Sequence, residues 1–350
     1  MKSRTRRAAA MATVLSALGA FAGLSDVTGV GVLSAQQRPA GQAATAPEVG
    51  GLEVLQVRPN FYMIAGAGAN IGVQVGPDGV IVVDAGSAAK ADAVVAAIKT
   101  LSDRPIRYVI DTSAGLDHVG GNEKLSKAGQ TLFNTENNPL RLAMTNDGAA
   151  TIISTEKVLL RMSAPSAGMP PFPTAALSTE PFFERRRAMY FNGEGIEILH
   201  QPAAHSDGDA MVFFRRSDVV VAGEILDTTR FPAIDLAQGG SVQGEIDALN
   251  RLMELAIPSV PFDWRDDGTV VIPARGRICD QIDVADYRDM VTIVRDRIRQ
   301  LVNEGKTLAQ VQAASPTLGF TKRYGADSGP WTTKMFVEAV FKSLTQEIKR

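Results

Sequence analysis

The segment from Asp111 to Asn122 carries the side chains of this chain that are best placed for chemistry. It follows the apolar run Tyr108-Val109-Ile110, and Asp117 and His118 stand next to each other near its end. Loops at strand ends hold reactive side chains on a rigid support. Carboxylate and imidazole groups bind zinc, iron or manganese, and they also serve as general acids and bases. The segment therefore predicts a metal site or an acid–base site.

Three further polar positions follow apolar runs and join the candidate set. His205 lies in Ala204-His205-Ser206-Asp207, Glu224 follows the run Val219 to Ala222, and Arg275 lies in Pro273-Ala274-Arg275-Gly276. The chain contains only three histidines in all, so a site that needs four or more imidazole ligands is excluded.

Alternating short strands and helices must position these residues. Apolar and β-branched runs separated by glycine-rich turns predict strands at 52–58, 61–65, 70–75 and 80–84. An amphipathic helix from Ala91 to Leu101 and a strand from Ile106 to Ile110 follow. A second β-rich half extends to Ile272, and the remainder is mainly helical. The alternation predicts an α/β fold in which helices cover sheets.

Five motifs in this order resemble the metallo-β-lactamase superfamily. They are Val83-Asp84-Ala85-Gly86, Leu116-Asp117-His118-Val119-Gly120-Gly121-Asn122, Ala204-His205-Ser206-Asp207-Gly208-Asp209, Gly223-Glu224 and Ile272-Pro273-Ala274-Arg275-Gly276. The resemblance implies a four-layer αββα sandwich with the site at one edge, here with a C-terminal helical extension. It also implies that Asp84 supports the metal loops and is not itself a ligand.

The resemblance implies two zinc ions, but most of their ligand positions have changed. Ser113, Gly115 and His205 occupy the positions of the first zinc, and Asp117, His118 and Arg275 those of the second. Glu224 occupies the bridging position. We therefore expect either no metal or a single divalent ion, which would be zinc before any other metal. Its ligands would be Asp117, His118, His205 and Glu224. We do not expect a two-zinc centre.

Arg275 argues against a metal at this place. A guanidinium stays protonated, and at about 4 Å and an effective dielectric of about 20 it would repel a divalent ion by roughly 8 kcal/mol. Beside Asp117 or Glu224 it would instead be attracted. We therefore predict that Arg275 replaces the missing cation; the other interpretation is that it points to solvent.

Each retained residue also has a purely structural interpretation. Asp117 is a suitable helix cap, His118 and His205 are suitable buried or backbone-bonded histidines, and Glu224 is a suitable partner for Arg275. Two functions stay open on this evidence. One is a catalytically silent or weakly active binding protein for a small anionic ligand or a partner. The other is a hydrolase of an ester, lactam or lactone that uses one metal, or that uses Asp117, His118 and Arg275 without metal.

Composition and the N-terminus limit where the protein acts. Basic residues before the Ala/Leu-rich run Ala8 to Leu24 predict an export signal over 1–35, and hence a periplasmic or secreted protein. A flexible linker at 36–51, the main domain at 52–302 and the helical extension at 303–350 follow. We expect no membrane span after signal removal, and the near-balance of charges argues against nucleic acid. The sequence does not identify a protein partner.

Overall fold

The computed structural model describes residues 48–132, 148–164, 171–259 and 268–347. The chain divides into two compact units, residues 1–44 and 45–350, and all of the described residues belong to the second. The predicted export signal and residues 36–47 of the predicted linker lie outside the described residues. Residues 48–51 form a short strand and a turn, because Glu48 and Val49 pair with the first residues of the next strand.

The first sheet has eight strands within the described residues. Its strands follow one another in chain order: β1 Glu48–Val49, β2 Leu52–Arg58, β3 Phe61–Ala65, β4 Ile71–Gly76, β5 Gly79–Val83, β6 Ile106–Ile110, β7 Thr151–Thr155 and β8 Glu180–Phe182. The first five pair antiparallel, and β5 to β8 pair parallel. The carboxyl ends of the parallel strands therefore meet at one edge of the sheet.

The second sheet has five described strands in the order β13-β12-β11-β10-β9. They are β9 Arg186–Phe191, β10 Glu194–Gln201, β11 Asp209–Phe214, β12 Val219–Asp227 and β13 Val270–Arg275. All pairs are antiparallel except β12 with β13, which is parallel. Strand β12 is buried along its whole length. Continuous burial is what a central strand covered on both faces requires.

Three clusters of buried side chains define four layers. Phe61, Ile81, Phe214 and Val221 belong to the cluster shared by the two sheets, which face each other. Helices α1 (Ala91–Leu101), α2 (Leu116–Val119), α3 (Asn122–Ala128) and α4 (Glu156–Ser163) belong to the first half of the chain. Residues of α1 and α3 pack on the outer face of the first sheet. The predicted αββα sandwich is confirmed.

The outer face of the second sheet is covered by helices from the last third of the chain. These are α5 Val242–Leu255, α6 Gln281–Asn303, α7 Leu308–Ala313, α8 Thr321–Tyr324 and α9 Thr333–Glu347. Residues of α5, α6 and α9 share one core cluster with β11 and β12. The predicted C-terminal helices therefore contribute to the largest core. Among the described helices, none is both long and apolar enough to span a membrane.

Candidate functional site

The candidate site lies where four strands of the two sheets end. Strand β5 leads into Asp84, and β12 and β13 supply Glu224 and Arg275. Strand β6 leads into a loop that ends in the short helix α2, and α2 carries Asp117 and His118. The turn between β3 and β4 packs tightly against α2. The φ angle of Gly68 is +120°, and a Cβ there would lie 2.8 Å from the Cβ of Asp117, so this approach requires glycine.

Asp84 holds the segment after β6 in place through its carboxylate. Its backbone has φ +64°, which is unusual for a residue other than glycine. Its carboxylate accepts hydrogen bonds from Thr112 N at 2.8 Å and from Thr112 Oγ1 at 2.7 Å. It also pairs with His118 Nδ1 at 2.9 Å. The strained residue therefore orients the imidazole.

His118 is fully buried and is bonded at both ring nitrogens. Nδ1 faces Asp84, and Nε2 lies 2.8 Å from Glu224 Oε1. Burial alone would lower the pKa of His118, but the two carboxylates outweigh burial and raise that pKa well above its ordinary value. The ring is therefore an imidazolium that donates from both nitrogens, and it keeps no lone pair for a metal.

Glu224 receives two cations on one oxygen atom. Its Oε1 lies 2.8 Å from His118 Nε2 and 2.8 Å from Arg275 Nη2. Burial would raise the pKa of Glu224, but His118 and Arg275 hold it well below its usual range. The Glu224 carboxylate stays ionised although it is almost fully buried, because the positive charges of His118 and Arg275 compensate its own charge.

Arg275 joins three carboxylates. Its Nη2 donates to Asp117 and to Glu224, and its Nη1 lies 3.3 Å from Asp227 Oδ2. Burial would lower the pKa of the guanidinium, but Glu224 and Asp117 raise it above its ordinary value. Arg275 points into the cleft, and the alternative that it faces solvent does not describe this arrangement.

The network extends to two residues that the sequence analysis did not select. Arg230 Nε lies 2.7 Å from Asp227 Oδ2, and Arg230 Nη2 lies 3.6 Å from Glu224 Oε2. Asp227 and Glu224 are three positions apart on β12, at its carboxyl end. The sequence signal for these two residues was that an acidic and a basic side chain, Asp227 and Arg230, follow Glu224 closely at the end of a strand.

His205 is not among the ligand atoms that converge at this centre. Its Nδ1 lies 2.7 Å from the carbonyl oxygen of Ala233, on a loop of the second half. His200 makes a similar contact, from Nε2 to Asp207 O at 2.7 Å. The changed ligand position Gly115, in contrast, is close to the network. A Cβ on Gly115 would lie 3.0 Å from Asp117 Oδ1 and 3.2 Å from His118 Cδ2, so a side chain there would press on both.

Two more buried acids escaped the sequence analysis. Burial raises the pKa of Asp209 to about 6, although Ser206 hydrogen bonds to its carboxylate. Glu245 on α5 is fully buried, and neither of its carboxylate oxygens has a hydrogen-bond partner among the residues that the structure describes. Its position on the apolar face of α5, between Val242 and Leu249, was the signal that could have identified it.

Comparison with known families agrees with the fold described above. A profile described as the metallo-beta-lactamase superfamily matches residues 65–260, which is more than half of the chain. This chain belongs to that superfamily. A search of curated proteins found no match.

Solved structures of the superfamily are similar in fold at low sequence identity. The stereoselective inverting sec-alkylsulfatase Pisa1 from Pseudomonas sp. is 14% identical with a TM-score of 0.57, over 83% of this chain and 49% of that chain. A metallo-beta-lactamase from Pontibacter korlensis is 15% identical with a TM-score of 0.49, over 69% of this chain and 99% of that one. This chain thus spans about half of the sulfatase, and at 14% identity the likeness to the sulfatase shows the fold alone.

A superfamily member normally binds zinc, so the residues must be tested against a metal. One potential ligand atom each from Asp117, His118 and Glu224 lies within 4.8 Å of the others, which makes this group a possible metal site. In the arrangement observed, however, Arg275 Nη2 contacts both carboxylates and His118 Nε2 contacts Glu224. The donor atoms that a zinc ion needs are therefore occupied by two protein cations, and these residues do not fit a zinc ion without rearrangement.

Proposed function

We propose that this chain is a metallo-β-lactamase-fold protein that works without the two-zinc centre, as a binding protein that is catalytically silent or only weakly active. We also propose that it is exported to the periplasm or secreted, which rests on the predicted signal over residues 1–35. The observation that carries the first proposal is the convergence of His118 and Arg275 on a single oxygen of Glu224, at 2.8 Å each.

The charges of the cleft support a stable state without metal. Three protein cations, His118, Arg230 and Arg275, face four carboxylates, Asp84, Asp117, Glu224 and Asp227. A divalent ion entering this group would meet the fixed charge of Arg275, at a cost of roughly 8 kcal/mol at about 4 Å. It would also have to displace a proton from His118. Both costs work against metal binding at neutral pH.

The same charges bear on the ligand. Because Arg275 is committed to three carboxylates, and because the carboxylates of this group outnumber its cations, the centre does not favour the small anionic ligand that the sequence suggested. An uncharged ligand in the neighbouring part of the cleft agrees better with this balance.

Metal analysis tests the proposal directly. Untagged protein is incubated with excess zinc, desalted, and analysed by inductively coupled plasma mass spectrometry. We expect well below one zinc ion per chain. One or two zinc ions per chain, retained after desalting, would overturn the proposal.

The second candidate function is a mononuclear metal-dependent hydrolase of an ester, lactam or lactone. The proximity of Asp117, His118 and Glu224, within 4.8 Å, favours it. It requires Arg275 to leave the carboxylates and His205 to approach them. A metal-free version would rely on Asp117 as the base, because its side chain is one-third exposed whereas that of His118 is inaccessible. Zinc-dependent turnover of an ester, lactam and lactone panel, abolished by a chelator, would favour this function.

A further inference from the structure

A cavity of about 450 Å³ lies between the His205 turn and the last helix. One wall is formed by His205 and by the loop that contains Ile234 and Leu236. The opposite wall is formed by Trp331 and by residues of α9, including Met335. A volume of this size is in the range of small-molecule sites. Half of the wall comes from the C-terminal extension, and none of the lining residues belongs to the Arg275 network.

His205 offers this cavity a hydrogen-bond acceptor. Its Nδ1 lies 2.7 Å from the carbonyl oxygen of Ala233, and a carbonyl only accepts, so Nδ1 donates this hydrogen bond. In the imidazole tautomer that this bond selects, Nε2 presents a lone pair. Nothing within the described parts of the chain donates to this nitrogen, and His205 lines the cavity. A ligand in the cavity that carries a hydrogen-bond donor can therefore satisfy this nitrogen.

The charged groups of the wall have partners within the protein, whereas Trp331 Nε1 is buried and has no hydrogen-bond partner among the described residues. Glu338 and Lys342 form an ion pair at 2.6 Å along α9. The Asp235 carboxylate accepts hydrogen bonds from the backbone amides of Ala237 and Gln238. Because each of these charged groups already has an ion-pair or hydrogen-bond partner within the protein, none of them requires an ionic ligand. The rest of the wall is largely aliphatic or aromatic.

We propose that this cavity binds an uncharged molecule with an apolar body and one hydroxyl group, which donates its hydrogen bond to His205 Nε2. The inference names the ligand class of the proposed binding role and in that sense rests on it. It assigns His205, a metal-ligand position of the superfamily, to ligand binding in this chain. It also gives the C-terminal extension a function, because the apolar body packs between Ile234 and Trp331.

Tryptophan fluorescence can report this binding. The chain has two tryptophans, so Trp264→Phe leaves Trp331, in the cavity wall, as the single emitter. The probes are 1-heptanol and its methyl ether, which have similar bodies but differ in the ability to donate. We expect a saturable change with both, and about threefold to tenfold tighter binding of the alcohol, which corresponds to one neutral hydrogen bond. If the tryptophan emission does not change on binding, calorimetry with the same two probes measures their affinities instead.

His205→Phe keeps an aromatic ring but removes the acceptor, and it should abolish the preference for the alcohol. His200→Phe is the matched control, because His200 also bonds a backbone carbonyl at 2.7 Å but does not line the cavity. It should leave the preference intact. Failure of the unaltered chain to bind either probe, equal affinity for both, or a preference that survives in His205→Phe would each overturn the inference.

Zinc content measured on the same sample separates the two proposals. Protein that retains zinc and still prefers heptanol overturns the metal-free function but supports the cavity. Protein that retains no zinc and binds neither probe overturns the cavity alone.

Discussion

At the scale of single residues, Arg275 explains how the loss of metal ligands is tolerated. Three carboxylates at strand ends would repel one another if nothing positive lay between them. Arg275 contacts Asp117, Glu224 and Asp227, and its side chain is only 22% exposed. The sequence allowed this pairing to be predicted, because the resemblance put Arg275 at a metal-ligand position. Asp227 and Arg230 were not selected, because they lie outside the five motifs and only their position shortly after Glu224 indicates them.

Arg275→Gln tests this role in stability. The change leaves ionised carboxylates unpaired in a mostly buried environment, which typically costs about 3–5 kcal/mol. We expect the free energy of unfolding in urea to fall by that amount, and we expect added zinc to raise the melting temperature of this variant but not of the unaltered chain. Arg277→Gln is the control, because Arg277 pairs with Asp283 with its side chain 64% exposed. Equal losses in the two variants would contradict a special role for Arg275.

Glu245 is the residue that the sequence analysis should have found. Val242, Ile246, Leu249 and Leu252 share its buried face of α5, so helical periodicity places a carboxyl group in the core. Burial raises its pKa well above the ordinary value, and the nearby Asp209 and Glu224 raise it further. The folded state therefore holds the Glu245 proton up to a higher pH than the unfolded state does.

The sign of the pH effect follows from that shift. Below the unfolded pKa of about 4.3, both states bind the proton and Glu245 adds no pH dependence. As pH rises towards the folded pKa, the unfolded state gains by ionising, so this residue increasingly destabilises the fold. Glu245→Met should therefore be more stable than the unaltered chain at pH 8, by about 1–3 kcal/mol, with a smaller gain at pH 5.

Urea unfolding at the two pH values measures this difference. Glu254→Met, on the same helix but with its side chain 65% exposed, should change stability by no more than about 0.5 kcal/mol. A Glu245→Met variant that is less stable at both pH values would mean that the carboxyl group has a stabilising partner.

At the scale of elements, the sequence predicted the bounds of strands better than it predicted which elements pack against one another. The strands at 52–58, 61–65 and 106–110 have the predicted bounds, because β-branched runs end at glycine or proline turns. The chain after Ile272 was also correctly predicted to be mainly helical. Helical periodicity shows which side of a helix is buried, but it does not show which other element that side packs against. The placement of α9 beside the His205 loop was therefore not predictable, and neither was the cavity between them.

Phe336 on α9 tests whether the helices after residue 302 are separable from the main domain. Its ring stacks on Phe231 with centroids 4.7 Å apart and is fully buried. Phe336→Ala should lower the free energy of unfolding by about 3–5 kcal/mol in one cooperative transition. Leu318→Ala, at a position 74% exposed, should change it by no more than about 0.5 kcal/mol. A two-step transition, or a small effect, would indicate a separable extension.

At the scale of the whole molecule, the scaffold of the superfamily is retained around a changed centre. Five ordered motifs were enough to predict the αββα layers, because they mark strand ends that are far apart in the chain and adjacent in the fold. They could not predict whether metal binds. That depends on distances of a few ångströms between His118, Glu224 and Arg275, which sequence spacing does not contain.

The strongest test at this scale is to rebuild the lost ligands. A variant with Ser113→His, Gly115→His and Arg275→His has five histidines in place of two, if His205 is counted, and lacks the fixed charge of Arg275. The Asp84 contacts that orient His118 are retained, so we expect at least one tightly bound zinc per chain by mass spectrometry. The added side chain at position 115 must displace Asp117, which the removal of Arg275 leaves free to move.

The informative control is the double variant Ser113→His, Gly115→His, which keeps Arg275. If Arg275 takes the place of the cation, this protein should bind far less zinc than the triple variant, although it has only one imidazole fewer. Circular dichroism must first establish that both variants fold. Equal zinc in the two would mean that the missing histidines alone, and not the guanidinium, keep metal out of the unaltered protein.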